Sequence, residues 1–330
     1  MKLATLGDGS RDGCLLVVSR DLALAVSASP HAATLREAIE GWDQVAPALA
    51  DLYRRLNLRQ AEGAFAFDPS QAMAPLPRAF QWCDGSAFLQ HGQRMQQAFG
   101  LPPIADVDKI PLMYQGAGDD FRGAHAPIQV ADAGYGIDFE GEFAVVLDDV
   151  PMGCSAAQAG SHIKLIVQLN DVSLRAMAPR EMATGFGFIH AKPSTSFAPV
   201  AITPDELGAG WQDGRVALRL HTQLNGQWFG HPDAGQMHFS FPQLIAHAAL
   251  TRRLGAGTII GSGTVSSARE EDGFSCISER RAVDKLQGRA LTDYLQFGDV
   301  VRMRAVDEQG AAPFGVIEQT VTAMPGQGGR

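Results

Sequence analysis

Little in this chain of 330 residues favours a crosslinked, membrane-spanning or nucleic-acid-binding protein. It has four cysteines, Cys14, Cys83, Cys154 and Cys276, dispersed and without a CxxC pair. That excludes a disulfide framework and a thiolate zinc site, and the expectation is reduced thiols in a cytoplasmic protein. Long hydrophobic runs are missing too: stretches such as Leu22–Val26 and Phe143–Leu147 fall far short of a membrane span. The opening MKLATLGDGSRDG reaches Gly and Asp before any apolar h-region forms, so no secretory signal is read there. No run of five like charges occurs, and the net charge is −9, with scattered arginines. A duplex-binding face of basic residues is therefore not expected, and the partner is expected to be a small molecule.

What the chain does have is 45% apolar residues with 36 Gly and 18 Pro, the composition of a compact, turn-rich globule. Leu15–Val18 and Leu22–Val26 flank Ser19-Arg20-Asp21 and predict a hairpin. Thr34 and Glu37 have capping-box spacing, and Leu35, Ile39, Trp42, Val45, Leu49, Leu52 and Leu56 recur at helical intervals, with Pro47 expected to divide the helix. The proline-rich DPSQAMAPLPR (68–78) reads as a linker, giving a small N-terminal α/β domain over 1–76 and a second domain over 77–330. Beyond it, strands are predicted at 128–131, 143–147, 165–169, 217–224, 258–260 and 300–305, with one helix over 241–254 stopped by Gly255. Strands and helices do not alternate, which argues against a doubly wound parallel sheet.

Four polar features stand out. Glu140 and Glu142 stand two apart at the head of a strand, so both should project to one face, where paired carboxylates repel unless a cation lies between them. Hard divalent ions take such oxygen ligands, although an E-x-E on a solvated strand face is the commoner case. Asp171 ends an apolar strand, and alone it could be a turn-former. Lys192 lies in HAKPSTSFAPV, where an ammonium could stand beside an anion or simply face water. Asp84 and His91 are seven apart, and on a helix they would share a face.

Taken in order, Asp84 and His91, Pro111 with Tyr114, Glu140 and Glu142, Asn170-Asp171-Val172-Ser173 with Arg175, Lys192, Gly261-Ser262-Gly263-Thr264 and Glu279 resemble the fumarylacetoacetate hydrolase family over roughly residues 79–325. The GSGT segment lacks the lysine and spacing of a Walker A loop, so nucleotide binding is set aside. The resemblance, with the shorter N-terminal segment pointing to the bacterial branch, implies an α+β, mainly β fold: a mixed β-sandwich roll. It implies Mg²⁺ or Ca²⁺, with Mn²⁺ also accepting an all-oxygen shell, on Asp84, Glu140, Glu142 and Asp171. Lys192 and Ser196 would support that shell, and Lys192 would also steady the reaction's oxyanion. His91, paired with Glu279, would activate water, and Tyr114, Arg175, Gly263 and Thr264 would contact substrate. The implied reaction is hydrolysis of a carbon–carbon bond in a fumarylacetoacetate-like 1,3-diketo acid of acylpyruvate type, in aromatic amino-acid (tyrosine) or aromatic-ring degradation, by a homodimer. The alternatives are a 2-oxo acid decarboxylase, hydratase or isomerase using the same metal-held enolate, or a silent metal-binding protein. Three tail-recognition positions of the family differ here, where Ser86, Gly100 and Ala178 stand in place of Tyr, Arg and Gln. The segment from Asp84 to Gly100 is a candidate moving lid.

Overall fold

The computed structural model describes residues 1–324. Its strands form two principal sheets, and the predicted mainly β, α+β roll is what the chain contains. The longer sheet has eleven strands. From one edge it runs Phe65–Ala66, Leu24–Ser27, Cys14–Val18, Lys2–Leu6, Ala201–Ile202, Ile163–Asn170, Gly141–Leu147, Ile259–Gly261, Trp82–Gly85 and Met113–Gly116, with Ser196–Phe197 also pairing against Ile163–Asn170. The five-stranded sheet runs Gln227–Gly230, Arg219–Leu224, Val300–Val306, Ile317–Ala323 and Ile128–Val130. Most pairs are antiparallel, but Ile259–Gly261 lies parallel to Trp82–Gly85, and Ile317–Ala323 parallel to Ile128–Val130.

The apolar run 143–147 is explained by burial on both faces. Phe143, Val145 and Leu147 join the core shared with Leu220, Val301, Met303 and Ile317 of the five-stranded sheet. Ala144 and Val146 turn the other way, into a second core with Leu35, Ile39, Leu49 and Leu56. Side chains alternate along a strand, so a strand between two cores carries no polar alternation. In the outer sheet the alternation returns: Val301, Met303 and Ala305 are buried while Arg302 and Arg304 are exposed.

Residues 1–76 extend the long sheet directly, because Lys2 and Leu3 pair with Ile202 and Ala201. The proline-rich stretch 68–78 at their end is packed down: Met73 donates its backbone N–H to the Thr5 carbonyl, and Ala74 and Leu76 are buried. The hairpin forms, its turn lengthened by Leu22 at φ 58°. Pro47 does not divide the helical region; the break falls at Gly41, between Leu35–Glu40 and Trp42–Asn57. Pro47 sits in the second turn of the longer helix, where the one backbone bond it forfeits is tolerated. Thr34 caps the first helix through the Glu37 N–H, while the Glu37 carboxylate accepts from Ala33 rather than completing a capping box. The helix expected over 241–254 spans only Phe241–Ala248, and Leu254 instead bridges Val150. Among the described residues no helix is long and apolar enough to cross a membrane.

Trp82 is buried edge-on to Phe121, with ring centroids 6.5 Å apart, two residues before Asp84 on the same strand face. Trp82→Ala should cost about 3–5 kcal/mol in urea unfolding followed by circular dichroism.

Candidate active site

Three strands of the long sheet, two of them separated by Ile259–Gly261, carry an acid on one face. Trp82 is followed two residues on by Asp84, Val146 and Ala144 are preceded by Glu142, and Leu165, Val167 and Leu169 lead to Asp171. The period of two that buries the apolar members therefore aims the carboxylates at a common point. One oxygen from each of Asp84, Glu142 and Asp171 lies within 4.8 Å of the others, and all three side chains are buried.

Gly261 makes room for this cluster. It pairs with both Asp84 and Ala144, and a Cβ there would sit 2.2 Å from Asp84 Oδ1 and 2.4 Å from the Trp82 ring. Gly263, at φ +75°, brings its N–H to Asp84 Oδ1 at 3.0 Å, and a side chain there would strike Gly85 O at 2.4 Å. The glycines of the GSGT segment thus serve close backbone approach to an acid rather than a phosphate cradle.

The carboxylates are not equivalent. Glu140 precedes the strand and stands apart from the close trio; its oxygens accept from Lys192 Nζ at 2.5 Å and from the Arg175 guanidinium. Burial opposes its charge, but Lys192 and Arg175 prevail and hold its pKa below the usual range. Asp171 accepts from Lys192 Nζ at 2.6 Å, Tyr114 Oη at 2.5 Å and Thr195 Oγ1 at 2.7 Å. Neither oxygen of Glu142 has a hydrogen-bond partner among the described residues. Burial, then the charges of Asp84 and Asp171, push the Glu142 pKa well up, and burial with Asp171 raises Asp84 to about 8. Two orphaned carboxylate oxygens in a buried acidic cluster fit a hard divalent cation. Asp84, Glu142 and Asp171 would hold it, with Glu140 beside them.

The second group is carried by two helices packed against each other, Leu89–Phe99 and Ile277–Leu286. His91 Nδ1 lies 3.2 Å from Glu279 Oε2. The other Glu279 oxygen accepts from Ser266 Oγ at 2.7 Å and from the Arg94 guanidinium. Burial would raise the Glu279 pKa, but the His91 hydrogen bond and charge, with Arg94, keep it low. Asp138 anchors the second helix, accepting from the backbone N–H groups of Ile277 at 2.7 Å and Ser278 at 2.9 Å, and from Arg175 Nε at 2.8 Å.

Asp84, Glu140, Glu142, His91, Tyr114, Arg175, Lys192, Gly263 and Thr264 all border one cavity of about 340 Å³. Two placements differ from expectation. Asp84 and His91 do not share a helix: Asp84 lies on the strand Trp82–Gly85 and His91 on the following helix. The hydroxyl at Asp171 belongs to Thr195, whereas Ser196, on the short strand beside Asn170, accepts from Gln319 Nε2 at 2.9 Å. Tyr114 and Arg175 are bound to the acids, and the Gly263 N–H is taken by Asp84. Sequence reasoning gave no role to Thr195, Asp138, Ser266 or Arg94; the D-x-E-x-E spacing was the one signal for Asp138.

Residues 81–322 match the family model described as fumarylacetoacetate (FAA) hydrolase C-terminal, and residues 1–78 match fumarylacetoacetase N-terminal domain 2. The chain is 26% identical over 229 residues to oxaloacetate tautomerase YisK of Bacillus subtilis, covering 68% of this chain and 71% of that one. Among solved structures, fumarylacetoacetate hydrolase from psychrophilic Exiguobacterium antarcticum is 17% identical with a TM-score of 0.66, over 98% of this chain and 100% of that chain. Maleylpyruvate hydrolase from Sphingobium sp. SYK-6, in complex with manganese(II) ion and pyruvate, is 16% identical with a TM-score of 0.65, over 98% and 99%. At these identities the likeness to solved structures is one of fold.

Two outcomes test the cation site. Gly261→Ala should weaken Mn²⁺ binding by about tenfold or more in calorimetric titration while the far-ultraviolet spectrum is retained. In chelator, the melting temperature should fall as pH rises between the ordinary carboxylate value of 3.8 and about 8. A raised folded-state pKa means the fold favours the protonated acid, so each proton lost on the way up destabilises it. Saturating Mn²⁺ should remove most of that fall.

Proposed function

The chain belongs to the fumarylacetoacetate hydrolase family, a family of enzymes, and from that premise we propose that it hydrolyses a carbon–carbon bond in a 1,3-diketo acid of acylpyruvate type. The observation that carries this reading is the His91–Glu279 pair beside a cavity bordered by the acidic cluster. A divalent ion on Asp84, Glu142 and Asp171 supplies Lewis acidity towards the substrate's oxygens when bound.

Glu279, kept ionised by Arg94 and Ser266, accepts from Nδ1–H of His91 and leaves Nε2 with its lone pair. That nitrogen takes a proton from water as the water oxygen adds to the distal ketone. The carbon–carbon bond then breaks, its electron pair passes to the pyruvate half as an enolate, and the imidazolium proton returns to that carbon. The products are a carboxylic acid and a 2-oxo acid. Two protons of the Lys192 ammonium are committed to Glu140 and Asp171, and its third is free for the developing oxyanion. Gly263 cannot serve there, because its N–H is spent on Asp84.

A second reading has one specific support, the similarity to an oxaloacetate tautomerase. The same histidine would then carry a proton between carbon and oxygen with no water added. Incubation with acylpyruvates, with fumarylacetoacetate and with oxaloacetate in Mg²⁺ or Mn²⁺ separates the two. Hydrolysis gives two acids from a diketo acid by chromatography; enol–keto interconversion without cleavage would reject it. His91→Ala should lower kcat by about 10²–10⁴ while Mn²⁺ still binds, and unchanged turnover would remove the histidine from the reaction.

A further inference from the structure

Beyond the acids, the cavity is walled by Leu112, Met113, Met182 and Phe188, with Phe188 edge-on to Tyr114 at 5.1 Å. Among the described residues the cations on the wall are Arg175 and Lys192; each is already paired with two acids, and the remaining Lys192 proton is the one assigned to the oxyanion at the head of the substrate. Arg175 binds Asp138 and Glu140, and Lys192 binds Glu140 and Asp171. Cations nearby are also engaged or turned away. Arg94 is held by Glu279 and Lys109 by Asp106 at 2.8 Å, while the His190 imidazole lies 3.0 Å from Glu181 Oε1. Arg180 stands two residues before Met182 on the helix Ala178–Thr184, so when Met182 faces the cavity Arg180 points nearly opposite. The same segment leaves Met182 62%, Phe186 97% and Ile189 79% exposed at and next to the cavity wall.

A second carboxylate on the substrate would therefore lie among thioether and aromatic surface, with no cation among the described residues to meet it beyond those already paired with acids. Leaving an ionised carboxylate unpaired in such surroundings is strongly disfavoured, whereas an alkyl or aryl group there removes apolar surface from water. We infer that the substrate's distal end is uncharged and apolar, so that this site takes a 2-oxo acid with an alkyl or aryl tail rather than a dicarboxylate such as fumarylacetoacetate. The inference rests on the proposed function only in taking the head of the substrate to be a 2-oxo acid.

The test is binding of 2-oxooctanoate and 2-oxosuberate, of equal chain length and ending in a methyl and a carboxylate respectively, to the Mn²⁺-loaded protein by calorimetry. The native protein should favour 2-oxooctanoate by about tenfold or more, and Met182→Arg, at an exposed position, should close that gap by a similar factor. Equal or tighter binding of 2-oxosuberate to the native protein, or binding of neither, overturns the inference. Parallel assays with an alkyl-tailed acylpyruvate keep the two ideas apart. A preference for 2-oxooctanoate with no cleavage of the acylpyruvate would refute hydrolysis and leave the apolar tail site standing.

Discussion

Four buried carboxylates set the terms for this structure. Asp84, Glu140, Glu142 and Asp171 crowd one end of the long sheet, and their mutual repulsion must be met from somewhere. The protein meets part of it: Lys192 spans Glu140 and Asp171, and Arg175 holds Glu140 from the other side. Among the described residues it leaves Glu142 without a hydrogen-bond partner. The division is informative, because a purely structural ion network would distribute its cations to leave no buried acid bare. Here the protein's own charges stabilise the rim of the cluster, and the bare acid at its centre fits a divalent ion.

The geometry that produces the cluster is that of an ordinary strand. Alternation buries the apolar members of three strands, with Ile259–Gly261 between two of them, in one core and carries the same face forward to an acid on each. Placement of the cluster thus needs ordinary strands, a residue without a side chain where two of them flank Gly261, and the left-handed turn at Gly263 that reaches Asp84. The histidine and its partner come from a different source, a pair of packed helices, so the basic and acidic halves of the site stand on separate elements.

Much of this was legible in the sequence, for physical reasons. Strands with apolar runs bounded by turn residues, such as 143–147 and 165–169, declared themselves, and Glu142 and Asp171 followed from their positions at the strand ends. Three kinds of feature were not legible. Helix limits set by tertiary contacts escaped: Leu254 pairs with Val150 instead of extending a helix, and Gly41 rather than Pro47 makes the break. Neighbouring hydroxyls escaped, because Thr195 and Ser196 point to opposite sides of an extended segment and only the fold tells which side faces Asp171. Contacts between distant elements escaped as well: nothing in the local sequence around Arg94 announces Glu279, and Arg175 reads as free until Asp138 and Glu140 are seen on it.

Asp138 ties these parts into one mechanical unit. One carboxylate receives the first turn of the helix that carries Glu279 and also grips the guanidinium that braces Glu140. Glu279, the imidazole's partner, and Glu140, at the rim of the acidic cluster, are thereby referenced to a single fixed point, so their separation is set once, at that residue. Any change in the distance between Glu279 and Glu140 would have to move this pivot first.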